Sequence, residues 1–319
     1  MATFIVPIGS QLRVNQMREE IWNLALLGVA FINSYDVIVW CALRNLIKNS
    51  VVCDICNINK TFVKRSGSID GYMWRCKSST SIRDGSFFAG SHLALSKLIM
   101  MIYGFANDFP QKLICKEELL TTISNTVVDW CNFCRKVCGR YLDQHPVELG
   151  GFDANGEPLI VEIDESYFFH RKYHRGAYRA GKWIFGAIER NSGKMFLTPV
   201  AARNEETLLP IISRIILPGT IIITDGWRAY RNIGLLRGGV YEHRTVTHQT
   251  HFVNPDDNSA HTQTIESVWM RSKKKLRRQC GTSRALFQSY LHEFMWREHM
   301  KNKDEFVEFL ICVSEQYLV

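Results

Sequence analysis

Three acidic residues stand where carboxylates could bind divalent metal. Asp164 ends the apolar run PLIVEID, and Asp225 ends the apolar run GTIIITD. Glu266 lies in the segment QTIESVWMRSKKKLRRQ. Carboxylate oxygens are the hard ligands that Mg²⁺ and Mn²⁺ take, and two such ions about 3.5–4 Å apart can serve the attacking and the leaving oxygen of a phosphodiester. The pattern predicts a site holding two Mg²⁺ or Mn²⁺ ions, with these three acids as its ligands and catalytic residues.

Each of these acids taken alone could be an ordinary strand-end or surface residue. The first two follow apolar strands, and ligands gather outside the carboxyl ends of strands in an open α/β sheet. Glu165 stands next to Asp164, but successive residues of a strand point to opposite faces. Only one of the two should therefore enter the site, and Asp164 is the predicted one.

The helix that carries Glu266 is amphipathic. Residues of its predicted buried stripe recur at helical spacing: Ile265, Val268, Trp269, Ser272 and Leu276. At 100° per residue, Glu266, Lys273 and Arg277 share the flank beside that stripe. A carboxylate at the edge of a buried face, with cations one and two turns further along, suits a metal site that acts on a phosphodiester.

The elements around these acids predict an α/β fold. PLIVEIDE indicates a buried central strand, KWIFGAIER and KMFLTPV flank an NSG turn typical of a hairpin, and GTIIIT indicates another buried strand. A helix is predicted over 207–217, with Pro210 tolerable only in its first turn. A short helix in WRAYRNIGLL and a strand near YEHRTVT follow. This is the order of a ribonuclease H-like domain with a mixed five-stranded sheet.

The chain before this domain divides by composition. We predict a helical segment over 1–50, a degenerate zinc-ribbon-like module over 51–90 and a helix-turn-helix-like DNA-binding region over 91–146. A Gly- and Pro-rich linker follows, and the ribonuclease H-like domain is predicted over 155–319. Any two adjacent helices resemble a helix-turn-helix, so that assignment has little support of its own.

The zinc-ribbon-like module contains an incomplete set of metal ligands. Cys53 and Cys56 form one C-x-x-C pair and Cys76 begins a second, but Ser79 stands where the fourth cysteine should be. Structural zinc takes four thiolate or imidazole ligands. Cys53, Cys56 and Cys76 could hold Zn²⁺ with a ligand from elsewhere, or the module has lost its metal. Three further cysteines fall on one helical stripe and are predicted to be core residues: Cys131, Cys134 and Cys138.

Basic residues adjoin the acids in sequence. The chain has a formal net charge of +8, which favours an acidic polymer as partner. Residues predicted to contact DNA phosphates occur in two runs: Arg171, Lys172, Arg175 and Arg179 in the first, and Lys273, Lys274 and Arg277 in the second. Solvated faces and a nuclear import signal in KKKLRR are the alternatives. Trp183 could stack on a splayed base or pack in the core.

Composition excludes several classes of protein. With 46% hydrophobic and 22% charged residues, the chain is neither disordered nor of low complexity. Its most apolar N-terminal stretch is interrupted by Asn23, Asn33 and Asp36, so packed helices are expected and no membrane partner. Ten cysteines in a chain of this length favour thiols over a disulfide framework.

Residues 159–300 closely resemble the transposase domain of the Merlin superfamily of DDE transposons and its ISXO2-like bacterial insertion-sequence relatives. The matching stretches are VEIDESYF, HRGAYRAGKWIFGAIER, PGTIIITDGWRAY, THQTHFVNP, HTQTIESVWMRSKKKLR and SYLHEFMWR. WRCKSSTSIRDGSFF and TVVDWCNFCRKVC also resemble the family's N-terminal region. The resemblance implies Asp164, Asp225 and Glu266 as the metal-binding triad. It also matches Lys273 to a basic residue that such enzymes use near DNA ends.

The function expected from residues and resemblance together is cut-and-paste DNA transposition. The partners would be double-stranded DNA, as terminal inverted repeats and as target, and further copies of the chain when two ends are synapsed. The chain would be nuclear in a eukaryote and otherwise cytoplasmic or nucleoid-associated. The alternatives are a domesticated, catalytically silent DNA-binding protein, a ribonuclease H-like nuclease or resolvase, and a zinc-ribbon transcription regulator.

Overall fold

The computed structural model describes residues 2–119, 124–169, 181–246, 261–278 and 285–319. The chain forms two compact units. The first comprises Met1–Arg140 and Met300–Val319, and the second comprises Tyr141–His299. The second unit is thus inserted into the first.

The first unit is mostly helical and contains a small antiparallel sheet. Its helices are α1 (Val14–Arg18), α2 (Leu24–Ala30), α3 (Ser34–Leu43), α4 (Leu95–Ala106), α5 (Gln111–Ile114), most of α6 (Ser124–Gln144) and α10 (Glu305–Gln316). The sheet has the order β1 (Thr61–Lys64), β2 (Tyr72–Arg75), β3 (Ser79–Ser81). Cys131, Cys134 and Cys138 are buried on α6, which confirms the prediction that they are core residues.

Helix α10 belongs to the first unit, whereas the predicted domain limits placed it with the ribonuclease H-like domain. Asp304 caps it, because its carboxylate accepts the backbone N–H of Phe306 and Val307 at 3.0 Å. Phe306 is buried and its ring lies 5.1 Å from that of Tyr103 on α4. The carboxylate of Glu308 accepts a hydrogen bond from the guanidinium of Arg18 on α1, with Nε and Oε1 2.7 Å apart. These contacts explain the grouping, and they join residues too distant in sequence for local patterns to reveal.

The second unit is built on a five-stranded mixed sheet. Its strands are β5 (Ile160–Phe168), β6 (Lys182–Glu189), β7 (Met195–Val200), β9 (Ile221–Asp225) and β10 (Glu242–Val246), and their order is β10-β9-β5-β6-β7. Strands β5, β6 and β7 are antiparallel neighbours, whereas β9 is parallel to both β5 and β10. Two short strands, β4 (Leu149–Gly150) and β8 (Ile216–Leu217), pair separately.

Helices cover both faces of the five-stranded sheet. Val161 and Ile163 of β5 pack with Leu208 and Ile212 of α7 (Glu205–Ile215) on one face. On the other face, β6 packs with α8 (Gln263–Arg278) and α9 (Phe287–Met300). The elements follow one another as three antiparallel strands, a helix, a parallel strand, a second parallel strand and a covering helix. This is the order of the ribonuclease H-like fold. The predicted fold class is confirmed.

Two local predictions were wrong. Helix α7 begins at Glu205 because Asn204 caps it, its side chain accepting the backbone N–H of Thr207. Pro210 therefore lies in the second turn, on an exposed position where water can reach the backbone carbonyl that lacks its partner. The short helix predicted in WRAYRNIGLL forms as two 3₁₀ helices, Arg228–Tyr230 and Ile233–Gly238, and not as one helix.

Within the described residues, no single helix is long and apolar enough to cross a membrane. Helices α2 and α3 reach the necessary length and composition only as a pair, and they meet at a bend of 111°.

Candidate active site

The sheet register brings Asp164 and Asp225 to one edge and one face. Parallel pairing of β5 with β9 ends at Glu162 opposite Ile223. Asp164 and Asp225 each lie two residues further along, so both side chains leave the same face of adjacent strands. Strand β9 ends at Asp225, where ligands gather in an open α/β sheet. The prediction that Asp164 also ends its strand was wrong, because β5 continues to Phe168 in antiparallel pairing with β6.

Asp164 is partly buried and directly contacts helix α8. Its Oδ2 accepts the indole N–H of Trp269 at 2.9 Å, and its Oδ1 accepts the backbone N–H of Glu165 at 2.8 Å. Burial raises the pKa of Asp164 to about 6, and the charges of Asp225 and Glu266 act in the same direction. The carboxyl groups of all three acids thus interact electrostatically at this edge.

Glu266 lies in the first turn of α8, one turn before Trp269, and is exposed. Among the described residues, only a cysteine group brings three potential ligand atoms within 4.8 Å of one another. The oxygens of Asp164, Asp225 and Glu266 are therefore not all within 4.8 Å of one another. The donor set suits Mg²⁺ or Mn²⁺, and its role as ligand set stays a prediction.

Glu165 points to the other face of β5, as strand alternation requires. It accepts the hydroxyl of Tyr230, which follows β9 in a 3₁₀ helix. Burial raises the pKa of Glu165 to about 8, with the charges of Asp164 and Asp225 adding to the effect. The choice of Asp164 as the ligand is consistent with this geometry and remains a prediction.

Both raised pKa values predict a pH-dependent stability. Folding moves these pKa values from 3.8 to about 6 for Asp164 and from 4.5 to about 8 for Glu165. The folded protein then binds more protons than the unfolded one in that window, so the free energy of unfolding falls as pH rises through it. We expect the Tm of the metal-free protein to decrease from pH 5 to pH 8.5. The decrease should be smaller in Glu165→Gln than in the control Glu206→Gln, which alters an exposed acid on α7.

Divalent metal should counter that loss, because Mg²⁺ binds ionised carboxylates. At saturating Mg²⁺, the rise in Tm should be larger at pH 8 than at pH 5.5. Scanning calorimetry with and without Mg²⁺ measures both effects. An equal Mg²⁺-induced rise at the two pH values would contradict the assignment.

Lys273 reaches the same edge from α8. Its ammonium donates to Ser166 Oγ of β5 at 2.5 Å and lies 5.1 Å from the centroid of the Phe168 ring. Burial lowers the pKa of Lys273, while the charge of Asp164 opposes that change. The predicted DNA-contacting residues Lys274 and Arg277 are exposed on the same helix.

Other basic residues of α8 serve the fold. Arg271 pairs with Glu298, and Lys275 pairs with Glu293 at 3.1 Å, so these two cations hold α8 to α9. The predicted DNA contacts Arg171, Lys172, Arg175 and Arg179 lie outside the described residues.

Sequence reasoning missed Glu162, which is fully buried beneath α8. Its carboxylate accepts the backbone N–H of Ile265 at 2.9 Å and the hydroxyl of Thr264 at 2.8 Å, so it caps the first turn of α8. Arg190 donates to the same carboxylate at 2.6 Å and to the backbone carbonyl of His261 at 2.6 Å. Glu162 thereby fixes the helix that carries Glu266 to the strand that carries Asp164. The only available signal was an acid inside an apolar strand.

Gly186 of β6 makes room for the indole ring that contacts Asp164. A Cβ at this position would lie 2.4 Å from Cη2 and 2.5 Å from Cζ2 of Trp269. We expect Gly186→Ala to reduce the free energy of unfolding by about 1–3 kcal/mol through overpacking and to weaken Mg²⁺ binding by displacing the indole N–H. Gly234→Ala, where a Cβ meets nothing within 4 Å, is the control and should change stability by less than about 0.5 kcal/mol. Urea titration followed by fluorescence compares them, and equal stabilities would refute the packing argument.

The first unit brings together the three predicted zinc ligands. The ligand atoms of Cys53, Cys56 and Cys76 all lie within 4.8 Å of one another, and the last two sulfurs are 3.4 Å apart. Ser78 also lies beside this group, with its Oγ 3.8 Å from the sulfur of Cys53. Three donors fit Zn²⁺, and no described His, Cys, Asp or Glu adds a fourth within the same distance.

The chain is similar in sequence to known transposases. Residues 154–299 match the ISXO2-like transposase domain. A protein of Haemophilus influenzae described as an uncharacterized transposase-like protein is 31% identical over 104 residues, which are 33% of this chain and 80% of that protein.

Two solved structures align with the fold at low overall similarity. The catalytic core of HTLV-2 integrase in complex with magnesium aligns with a TM-score of 0.28 and 13% identity, over 43% of this chain and 82% of the integrase chain. A simian T-cell lymphotropic virus intasome in complex with the PP2A regulatory subunit B56 gamma aligns with a TM-score of 0.30 and 15% identity, over 62% of this chain and 67% of that chain.

Proposed function

Because this chain belongs to the ISXO2-like family of DDE transposases, we propose that it is an active transposase that cleaves DNA at transposon ends and joins them to target DNA. The observation that carries the proposal is the position of Asp164 and Asp225 on one face of adjacent parallel strands, two residues beyond the last paired residues of β5 and β9. The helix of Glu266 covers that face.

The acids would hold the divalent ions. Asp164 and Asp225 would bind from the sheet, and Glu266 would complete the set from α8. When bound, two Mg²⁺ or Mn²⁺ ions supply Lewis-acid stabilisation for the attacking and leaving oxygens of the phosphodiester. Trp269 orients Asp164 through its indole N–H. Lys273 and Arg277 would neutralise phosphate on the DNA backbone.

A strand-transfer assay tests this function. The full chain is incubated with Mg²⁺, a supercoiled target plasmid and labelled duplexes. The duplexes carry the terminal repeats taken from the DNA on either side of its gene. We expect label to become joined to the plasmid. Binding without cleavage would support a domesticated DNA-binding protein, and cleavage without joining would support a nuclease or resolvase. Either result would overturn the proposal.

The remaining partners follow from this reaction. Joining two transposon ends requires at least two copies of the active site, so the chain would oligomerise on DNA.

The three cysteines of the first unit would bind Zn²⁺. The fourth ligand would be a water molecule or a group from another molecule bound to the same DNA. Elemental analysis of purified protein measures one zinc per chain if this is right, and none if the module has lost its metal.

A further inference from the structure

Arg203 stacks on a tryptophan beside the acidic edge, and Arg228 lies near a second tryptophan. The Arg203 guanidinium carbon lies 3.6 Å from the ring centroid of Trp183 and 5.0 Å from that of Trp227. The Arg228 guanidinium carbon lies 5.8 Å from the same Trp227 ring. The Trp227 indole N–H also donates to the backbone carbonyl of Arg203 at 3.2 Å. Stacking on an aromatic face holds a guanidinium flat and leaves its N–H edge free to donate.

The tryptophans place these arginines next to the predicted metal ligands. Trp227 follows Asp225 by two residues, and its backbone N–H donates to Asp225 Oδ1 at 3.1 Å. Trp183 pairs across the sheet with Tyr167, near the end of β5. The charge of Arg203 also acts on the carboxyl of Glu165. Arg203 and Arg228 therefore lie at the same sheet edge as Asp225.

The fold does not use these two cations in ion pairs. Within the described ranges, neither guanidinium has an acidic partner within 4.0 Å or donates a hydrogen bond, whereas neighbouring arginines do. Arg190 pairs with Glu162 and Arg244 pairs with Glu242. Arg203 is only half exposed, and Arg228 is exposed. Positive charge that the fold leaves without an acidic partner, next to acids that would hold divalent cations, is suited to bind an anion such as a phosphate.

We propose that Arg203 and Arg228 form a phosphate-binding pair for the DNA strand that occupies the active site. This inference rests on the proposed function. A guanidinium presents its N–H groups in a planar fork that matches phosphate oxygens, and stacking reduces the side-chain entropy that binding would otherwise cost. Arg203 lies on the face of Glu165 and Tyr167, whereas Lys273 contacts Ser166 on the face of α8. Cations thus lie on both faces of the sheet near the edge that carries the acids.

The same contacts disfavour base stacking on Trp183. One face of the ring carries the Arg203 guanidinium, and Tyr167 packs against it with centroids 4.9 Å apart. A base would have to displace one of these partners. Of the two roles considered for this tryptophan, packing is therefore the favoured one, and the ring serves the proposed site by supporting Arg203.

The salt dependence of DNA binding tests the pair in the full chain. A fluorescein-labelled 30-bp duplex is titrated in the absence of divalent metal at several NaCl concentrations. The slope of log Kobs against log[NaCl] should fall by about 0.9 for each phosphate that the protein no longer neutralises. Arg203→Gln and Arg228→Gln should each reduce the slope by about 0.9, and the double variant by about 1.8. Arg203→Lys keeps the charge and should retain most of the slope while binding several-fold more weakly.

Arg214→Gln is the matched control. Arg214 also stacks on an aromatic ring, with its guanidinium carbon 5.8 Å from the Phe196 centroid, but it lies on α7 away from the acids. Slopes for Arg203→Gln and Arg228→Gln equal to that of Arg214→Gln would overturn the inference while leaving the proposed function intact. Failure of the unaltered chain to bind the duplex would count against the proposed function itself. Thermal melts identify a variant that misfolds, and exposed Arg228 then provides the deciding comparison.

Discussion

Asp225→Asn is expected to abolish metal-dependent cleavage and strand transfer, with a loss of about 10³-fold or more. Asparagine keeps the shape of the side chain and the oxygen that accepts the backbone N–H of Trp227, so the strand end should stay in place. What disappears is the negative charge that a divalent ion requires. The measurement is the initial rate of cleavage of labelled duplex ends in Mg²⁺ and in Mn²⁺, with DNA binding measured separately in metal-free buffer.

Two companion variants sharpen that result. Asp164→Asn should lose activity as severely as Asp225→Asn, because both acids leave the same face of the sheet. Glu165→Gln should retain more activity, because its carboxyl points to the opposite face and contacts Tyr230. Binding of duplex should change little in all three. Cleavage at the normal rate by Asp225→Asn would defeat the assignment, and a reversal of the order between Asp164→Asn and Glu165→Gln would exchange their roles.

The second large effect is expected on stability at Glu162. Replacing this buried acid with alanine removes the cap of α8 and the carboxylate that pairs with the Arg190 guanidinium. Breaking a buried ion pair in this way costs about 3–5 kcal/mol. Glu162→Gln should cost less than Glu162→Ala, because an amide oxygen can still accept from Thr264 and Ile265. Chemical denaturation monitored by circular dichroism measures the free energy of unfolding of each variant.

A double-mutant cycle separates the ion pair from the cap. Glu162→Leu combined with Arg190→Met removes both charges, so it should recover a substantial part of the stability that Glu162→Leu alone loses. The missing cap should remain visible as a lower affinity for Mg²⁺, since Glu266 lies on the same helix. A loss below about 1 kcal/mol for Glu162→Ala would show that the buried pair does not anchor α8.

The sequence was most informative where the signal is local. The buried stripe of α8 is the predicted one, from Ile265 to Leu276, because helical periodicity depends only on neighbouring residues. The apolar runs that end at Asp164 and Asp225 are central strands, because strands covered on both faces are apolar throughout. The order of elements then determined the fold class.

What could not be predicted depends on contacts between distant segments. Glu162 is one acid among several in VEIDE, and its role follows only from the position of α8, about a hundred residues later. No sequence motif indicated the role of Arg203, because the tryptophans that it contacts lie on β6 and in the turn after β9. The separation among the three acids likewise depends on side-chain positions, which periodicity does not report.

The position of the second unit's segment between the two segments of the first has a genetic consequence. Every predicted metal ligand is encoded before α10, yet α10 supplies Glu308 to Arg18 and Phe306 to the interior of the first unit. A premature stop codon shortly before α10 would leave every predicted catalytic residue of the second unit in the translated chain. The first unit would lose α10 and the contacts that this helix makes. Such truncated alleles would be recognised by insolubility and rapid turnover in the cell, and complementation with a separately expressed α10 peptide would be the natural means of rescue.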